Sequence, residues 1–567
     1  MGSGIMFELG PAPTRYGVVA LVALIATGCA ANSFGEGPTH TPSSPAEYLG
    51  AYVPDFSYAG YRNGKALEPV STGTRINVTD FGAIPDDGID DSRAILDAID
   101  TANVVDGTVI LEFPAGELIV TEVLPITRGD IVLRGQGRGD GGTRLHFPRP
   151  LDMVDTGSRF NELREYLAKY EKRQREPDRN VDYMFSEYSW TGGFIWIQRP
   201  GTRAASYLES YDPPIEVLTD ITSGKRGEKT VSVVDTDRLE EGDVIQLQWF
   251  NREGEVGALI DSIYGDTDLA IGSHHWTFVD RPLVRQMTKV VSINGAAVTL
   301  SDPLLHDVND ALPAQAAVWD HLQNVGIEGM RLTFPNAISF GHHLERGYNG
   351  IYFTSVFNGW IRDVSFSNAD SGVLSYNSAN LTFQTIRADG LRRAHYAVHL
   401  GNVHNVLVSD LIVAGPVIHP LTFNTQSTRS VYRRSTVFEA PVLDQHAGSN
   451  HQNLFDETTV YISAERDEDG AYYDIWDGSG AGYWQPGHGR FNTTWNLSVI
   501  VEDGAAQRET VRLRGLAEGP DARLVGIQGN RPFEIEYVPQ PVSKDINRKP
   551  PHRSLYDWQL ELRTDLD

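Results

Sequence analysis

Short apolar segments recur at a nearly constant spacing through the middle of the chain. Val364, Ile386, Leu411 and Val437 each lie in a strand-like run, and they are 22, 25 and 26 positions apart. A strand-and-turn unit of this size cannot bury its own inner face, so neighbouring units must supply the core by stacking. The pattern predicts a solenoid of β coils, a fold class that also accommodates a chain of 567 residues.

Each unit carries a second strand-like run after its loop, and polar residues recur along these second strands. Side chains alternate between the two faces of a strand. Placing the first residue of each run inside puts five candidate catalytic residues outside: Tyr376, His399, Asn424, Asp444 and His446. Because stacked strands are about 4.8 Å apart, we expect these residues to form one patch. A register slip of one residue would turn the set inward.

The chemistry of these five residue types suits proton transfer. A tyrosine and a histidine can act as acid and base. An asparagine can hydrogen-bond a carboxyl group, and an aspartate can orient a histidine. Arginines can hold a carboxylate or sulfate by paired hydrogen bonds, and loop aromatics can stack on sugar rings or simply pack. We predict substrate contacts for Arg392, Arg393, His395, Arg434, His451, Trp484 and His488.

The segment INVTDFGAIPDDGIDDSRAILDAIDTANVVDGTVILEFPAGELIV at 76–120 predicts a helix followed by a strand. Residues 92–102 have an apolar face, and Asp90 and Asp91 stand at the helix start, where carboxylates favour the dipole. Together with IVLRGQG at 131–137, the segment resembles the amino-terminal signature of the pectate-lyase-like β-helix superfamily. The resemblance implies an all-β, right-handed parallel β-helix with an N-terminal capping helix. Hydrolases, lyases, epimerases and phage tailspikes share this signature.

Three functions are compatible with these observations. A polysaccharide lyase cleaving a uronate-containing glycan by β-elimination fits the histidine- and tyrosine-rich patch and is our expectation. A glycoside hydrolase usually needs two carboxylates; Asp370, Asp389 and Asp444 are available, but the tight Asp–Asp pattern of β-helix polygalacturonases is missing. A non-catalytic glycan-binding surface protein is the third alternative.

We assign no metal ligand from the sequence, because neither an HExxH motif nor an EF-hand loop occurs. The carboxylates of DDGIDD at 86–91 suit helix capping, and calcium is left open as a cofactor.

A short apolar run at residues 16–28 follows Arg15 and ends in Ala-Thr-Gly before Cys29. Its length is that of a signal peptide rather than a membrane span. The end of the run resembles the bacterial lipobox, which implies cleavage before Cys29 and lipidation of that residue. We therefore expect an exported lipoprotein of the cell envelope that contacts the membrane only through its lipid anchor. Cys29 is the one cysteine in the sequence, so no intramolecular disulfide can form.

The net charge of −27 makes nucleic acid a poor partner, because an acidic chain repels a phosphate backbone. We expect a monomer whose partner is a polysaccharide. The predicted organisation is a signal peptide at 1–28, a lipidated flexible tether at 29–74, N-terminal coils with a charged helical insertion at 75–214, a β-rich insertion at 215–318, central coils with the patch at 319–465, and C-terminal coils with a closing cap at 466–567.

Overall fold

The structure is a computed structural model that describes residues 42–155, 186–202, 215–254, 256–265, 279–339, 341–477, 486–502, 509–515 and 519–565. The residues from Ser43 onward form one compact unit. The predicted signal peptide, Cys29, the predicted helical insertion at 161–179 and Trp484 lie outside the described residues.

Most of this unit is a right-handed parallel β-helix, as the resemblance implied. Its largest sheet, here sheet 1, contains Thr74–Asn77, Val109–Glu112, Gly116–Ile119, Ile131–Arg134, Thr143–His146, Val325–Thr333, Trp360–Ser367, Thr382–Asp389, Leu407–Val413, Val431–Arg433, Thr436–Val437, Leu454–Asp456, Thr459–Ile462, Thr493–Trp495, Ser498–Val501, Arg523–Val525, Gln528–Gly529 and Val542–Lys544.

Two further sheets complete the coils, and the narrow third sheet is present only in the central ones. Sheet 2 contains Leu124–Ile126, Ile195–Gln198, Asn349–Thr354, Ser371–Tyr376, Ala394–Leu400, Val417–His419, Leu421–Asn424, Leu443–His446, Gly470–Asp477, Val511–Gly515 and Phe533–Glu536 in parallel, with Glu465–Asp467 antiparallel to Gly470–Asp477. Sheet 3 is narrow and contains Leu322–Gln323, Val356–Phe357, Ser378–Ala379 and Val403–His404. The chain runs from sheet 2 through sheet 3 to sheet 1 in each central coil.

The repeat spacing seen in the sequence corresponds to strand pairing in sheet 1. Val364 lies opposite Ile386, and Ile386 lies opposite Leu411. Val437 lies opposite Val413 instead, because the last strand is split at Arg434, where φ is +52°. Val364, Ile386, Leu411 and Val437 are all buried in the interior of the coils.

Asparagines make the corners on both sides of sheet 3. Asn377 and Asn402 follow the sheet 2 strands with φ of +47°, and Asn380 and Asn405 precede the sheet 1 strands with φ of +54° and +56°. Asparagine tolerates this left-handed region better than most residues, so it suits a sharp corner.

Among the described residues, helices span Pro45–Leu49, Tyr61–Gly64, Ser92–Val104, Leu151–Val154, Ala258–Tyr264 and Leu555–Thr564, with 3-10 turns at Val78–Phe81 and Glu187–Ser189. Ser92–Val104 is the predicted capping helix, and its apolar face joins the core of the first coils. The neighbouring carboxylates accept backbone hydrogen bonds: Asp90 from Ser92, and Asp91 from Ile84 and Ile119.

The predicted β-rich insertion is a closed antiparallel barrel of Val217–Gly224, Thr230–Val233, Val244–Phe250, Pro282–Asn294, Ala297–Leu300 and Ala314–Val318. It has a hydrophobic core of its own around Trp249. A buried carboxylate joins it to the coils: Oδ2 of Asp302 lies 2.9 Å from Nε2 of His404 and accepts a hydrogen bond from Asn405. The barrel is therefore anchored to the corner beside sheet 3.

Two parts of the structure differ from the predicted organisation. The second half of the predicted flexible tether is ordered, because Tyr48 and Phe56 pack against Trp495 and neighbouring apolar residues. The helix Leu555–Thr564 lies with this segment over sheet 1 instead of closing the end of the solenoid, and Gln559 accepts a hydrogen bond from the backbone of Phe56. The segment is rich in proline, serine and glycine, a composition that predicts a flexible tether. The aromatic residues within it nevertheless pack against the rest of the protein.

None of the helices in the described ranges has the length and apolar character needed to cross a membrane.

Candidate active site

Sheet 2 places the predicted patch residues on adjacent strands. His399 lies opposite Thr422, which lies opposite Asp444, while Asn424 lies opposite His446. The strand that contains Tyr376 pairs with the strand that contains His399. The structure thus brings the five predicted residues onto four consecutive strands of one sheet.

Asp444 is fully buried between two imidazoles. Its Oδ2 lies 2.9 Å from Nδ1 of His419, and its Oδ1 lies 3.4 Å from Nδ1 of His446. Burial alone would raise the pKa of Asp444, but the neighbouring His446 and His419 bring it below its ordinary value. Asp444 therefore stays ionised and can orient both rings, and His446 is the more exposed of the two.

His399 is packed into the same cluster. It is buried, and its ring occupies the space above Gly401, where a side chain would otherwise stand. Burial, reinforced by the nearby His446, lowers the pKa of His399 to about 3. The ring is therefore neutral in ordinary conditions.

A tyrosine connects His399 to Asn424. The ring of Tyr396 meets that of His399 edge-on at 4.7 Å between centroids, and it stacks on His395 at 4.1 Å. The Asn424 side chain donates a hydrogen bond of 3.4 Å to the Tyr396 hydroxyl. The Tyr396 phenol is therefore buried among the histidines, with its hydroxyl next to Asn424.

A second group of histidines adjoins this cluster. His342 and His343 lie on a segment without regular structure, and Nε2 of His342 is 3.3 Å from Nε2 of His395. Nδ1 of His395 lies 3.2 Å from Oε1 of Glu345. The His342 and His395 rings each lie 5.4 Å from the His419 ring, so the two groups are continuous.

Sequence reasoning missed six residues of this site: Trp190, His342, His343, Glu345, Tyr396 and His419. The paired histidines in GHHLER were a visible signal, but they lie outside the strand pattern. His419 was missed because Pro420 divides the strand into Val417–His419 and Leu421–Asn424, so the alternation counted from Leu421 does not extend across it. Tyr396 was overlooked beside the predicted His395.

The comparisons with known proteins concern the fold. The chain matches no protein-family model and no curated protein. It is similar to the tailspike protein gp49 of Pseudomonas phage LKA1 (13% identity, 82% of this chain and 77% of that chain, TM-score 0.43). It is also similar to endo-xylogalacturonan hydrolase of Aspergillus tubingensis (9%, 82% and 95%, TM-score 0.36) and to the A-module of the Azotobacter vinelandii mannuronan C-5 epimerase AlgE4 (12%, 83% and 96%, TM-score 0.33). Since these identities are low, the likeness extends to the fold alone.

Two predicted substrate-binding arginines are engaged elsewhere. Arg392 is buried and bonded to Asp370, whose other oxygen accepts hydrogen bonds from the backbone of Gly347 and Tyr348. Its guanidinium thus holds the segment next to His342 and His343 and is not available to a substrate. Arg434 lies on sheet 1, bonded twice to Asp410, and lines a separate groove of about 590 Å³.

The other predicted substrate contacts differ in burial. Arg393 is exposed, next to the strand Ala394–Leu400. His451 is buried at the barrel, with Nε2 2.8 Å from Nε2 of His306. His488 is buried, accepts a hydrogen bond from the backbone of Gly519, and lies 3.2 Å from the Tyr537 hydroxyl. Neither buried histidine is presented to a polymer.

Proposed function

We propose that this protein is an exported polysaccharide lyase that cleaves a uronate-containing glycan by β-elimination. The observation that carries the proposal is the His446–Asp444–His419 arrangement, with Tyr396, His399 and Asn424 beside it. Neutral imidazoles and a phenol are the groups that such a proton abstraction requires. The side chains follow several stacked strands, which suits a linear polymer better than a compact ligand.

Four of these side chains have distinct parts in the reaction. His446 takes the proton from the carbon beside the uronate carboxylate, and Asp444 holds the imidazole by its Nδ1 side. The electron pair forms a carbon–carbon double bond as the glycosidic carbon–oxygen bond breaks. The Tyr396 hydroxyl gives a proton to the departing oxygen, and Asn424 hydrogen-bonds that hydroxyl or the substrate carboxylate. Tyr376, on the neighbouring strand, is the alternative acid.

The hydrolase alternative fits this geometry less well. It requires one carboxyl group that stays protonated and a second carboxylate on the other side of the bond. Asp444 is buried and its pKa lies below the ordinary value, which is the opposite of what a general acid needs. Asp370 accepts hydrogen bonds from Arg392 and from backbone N–H groups. Asp389 lies on sheet 1 and forms an ion pair with Arg387.

Export as a lipoprotein is part of the same proposal, and it rests on the lipobox-like sequence before Cys29. A polymer too large to enter a cell must be cut outside the cytoplasm, so the predicted location and the predicted substrate agree.

The test is an incubation with a panel of neutral and uronate-containing polysaccharides. The ultraviolet absorbance of unsaturated uronate and the number of reducing ends are followed together. A lyase raises both signals on a uronate-containing glycan. Reducing ends without absorbance would replace the proposal with a hydrolase, and binding without either signal would replace it with a glycan-binding protein.

A further inference from the structure

We propose that His342, His343 and His395 bind one transition-metal ion of the zinc class next to the catalytic histidines. The role given to this ion, which is to neutralise the uronate carboxylate, rests on the proposed function. Binding of the ion does not depend on the proposed function, and a separate experiment measures it.

The donor atoms are close to the spacing that such an ion requires. The ligand nitrogens of the three histidines all lie within 4.8 Å of one another, and Nε2 of His342 is 3.3 Å from Nε2 of His395. Zinc–nitrogen bonds of about 2.0–2.1 Å in a tetrahedral site put neighbouring nitrogens about 3.3–3.4 Å apart. One pair already has this spacing, and the ligand nitrogen of His343 lies within 4.8 Å of both.

Glu345 sets the orientation of the most buried ligand. Its Oε1 lies 3.2 Å from Nδ1 of His395 without the alignment of a hydrogen bond, and the negative charge at this distance favours a proton on Nδ1 and a lone pair on the Nε2 near His342. Glu345 is itself held by the Ser189 hydroxyl at 2.6 Å and by the backbone N–H of His343. A carboxylate behind a histidine in this manner is the usual support of a metal ligand.

The site is closed on one side and open on the other. His395 is buried, whereas His342 and His343 are half-buried, and the Trp190 ring packs on His343 at 5.0 Å between centroids. Three protein ligands with an open position are typical of zinc sites that also bind water or substrate.

The position explains how the substrate charge is balanced. Two of the arginines predicted for this role are bonded to Asp370 and Asp410. An ion held by His342 and His395 lies beside His419, which contacts the Asp444 that orients His446. A carboxylate bound to the ion therefore places the adjacent carbon near the base.

His419, Asp444 and His446 form a second group with donor atoms within 4.8 Å. We favour the three-histidine group because Asp444 already lies between two imidazoles, which leaves His446 for proton transfer.

The test uses the full chain with Cys29→Ala in every sample, which removes the one thiol that would also bind metal. The protein is stripped with a chelator, titrated with ZnCl₂ in a calorimeter, and analysed for metal after gel filtration. CoCl₂ is used in parallel, because visible absorption reports tetrahedral nitrogen ligation. The variants are His342→Ala/His343→Ala, Glu345→Gln, His446→Ala, and the control His146→Ala, which changes a histidine on sheet 1.

We expect one zinc per chain and a cobalt spectrum in the parent protein and in His146→Ala and His446→Ala. Both should disappear in His342→Ala/His343→Ala, and Glu345→Gln should bind about 10- to 100-fold more weakly. Circular dichroism checks that each variant is folded. The proposal is overturned if the parent retains no zinc, or if the double variant binds as the parent does. It is also overturned if His446→Ala abolishes binding, because the metal then belongs to the second group. The metal-binding measurements do not depend on whether the protein cleaves a polysaccharide.

Discussion

His399 and Gly401 are sterically matched: a methyl group on Gly401 would lie 2.4 Å from Cε1 of the His399 ring. The backbone of Gly401 is not left-handed, so the missing side chain serves to make room for the ring. Gly401, just after the strand that contains His399, thereby allows the His399 ring to pack against Tyr396.

Replacing Gly401 with alanine should displace His399. Overpacking of this kind costs about 1–3 kcal/mol, so the variant should fold with a lowered Tm and should also lose activity, whereas the control below should change in neither measurement. Thermal unfolding and steady-state kinetics provide the two measurements. Gly139→Ala is the matched control, because a methyl group there meets no atom within 4 Å. Full activity of Gly401→Ala would show that the position of His399 is unimportant.

His446→Ala should reduce kcat by about 10²–10⁴-fold, the usual contribution of a general base. The side chain is partly exposed, so little stability should be lost. Asp444→Asn should also lower kcat, because the ring of His446 loses the anion that orients it. His146→Ala serves as the control. If His446→Ala is as active as the parent protein, His446 is not the base.

The unfolding free energy should decrease as the pH falls below about 6.5. Burial lowers the pKa of His451 to about 4, and that of His488 to about 3, from an ordinary value near 6.5. Between these values the unfolded chain binds protons that the folded protein does not, so acid favours unfolding; above pH 7 neither state is protonated and the effect vanishes. For His451 the loss is roughly 3 kcal/mol when complete.

Urea unfolding at pH 7.5, 6.0 and 4.5 measures this dependence. His451→Gln should show a shallower decrease than the parent protein. His146→Gln, which changes a half-buried histidine on sheet 1, should show the same decrease as the parent. An equal slope in the parent and in His451→Gln would contradict the prediction.

Asp302→Ala should destabilise the attachment of the barrel. Asp302 is fully buried, contacts His404 and accepts hydrogen bonds from Gln286, Thr288 and Asn405. Removing the carboxylate leaves several buried hydrogen-bond donors without an acceptor, which costs about 1–3 kcal/mol. The Tm should fall and proteolysis between barrel and coils should become faster. Asp310→Ala, at an exposed position in the same insertion, should change neither measurement.

Cys29→Ala should abolish lipid attachment. Expressed in a bacterium with lipoprotein processing, the parent protein should incorporate labelled fatty acid and fractionate with membranes. The variant should do neither, because position 29 then has no thiol to acylate. Incorporation of the label by Cys29→Ala would contradict the lipobox assignment.

The sequence alone determined the coil architecture and the register of the site strands. Inside–outside alternation and a spacing of 22 to 26 residues are local properties of the chain. They predict that Tyr376, His399, Asn424, Asp444 and His446 share one face of a sheet. The observed pairs Asn424–His446, His399–Thr422 and Thr422–Asp444 fit that prediction, although the strands are buried on both faces.

Only the tertiary structure decided which polar groups meet and which are neutralised elsewhere. His342, His343 and Glu345 lie on an irregular segment, which has no periodicity from which their position could be predicted. His419 lies on the other side of Pro420 from the strand that contains Asn424. The partners of Arg392 and Arg434, the closure of the barrel and the packing of Tyr48 and Phe56 likewise depend on residues distant in sequence. Such contacts form only after the coils have stacked, so their geometry is set by the fold as a whole.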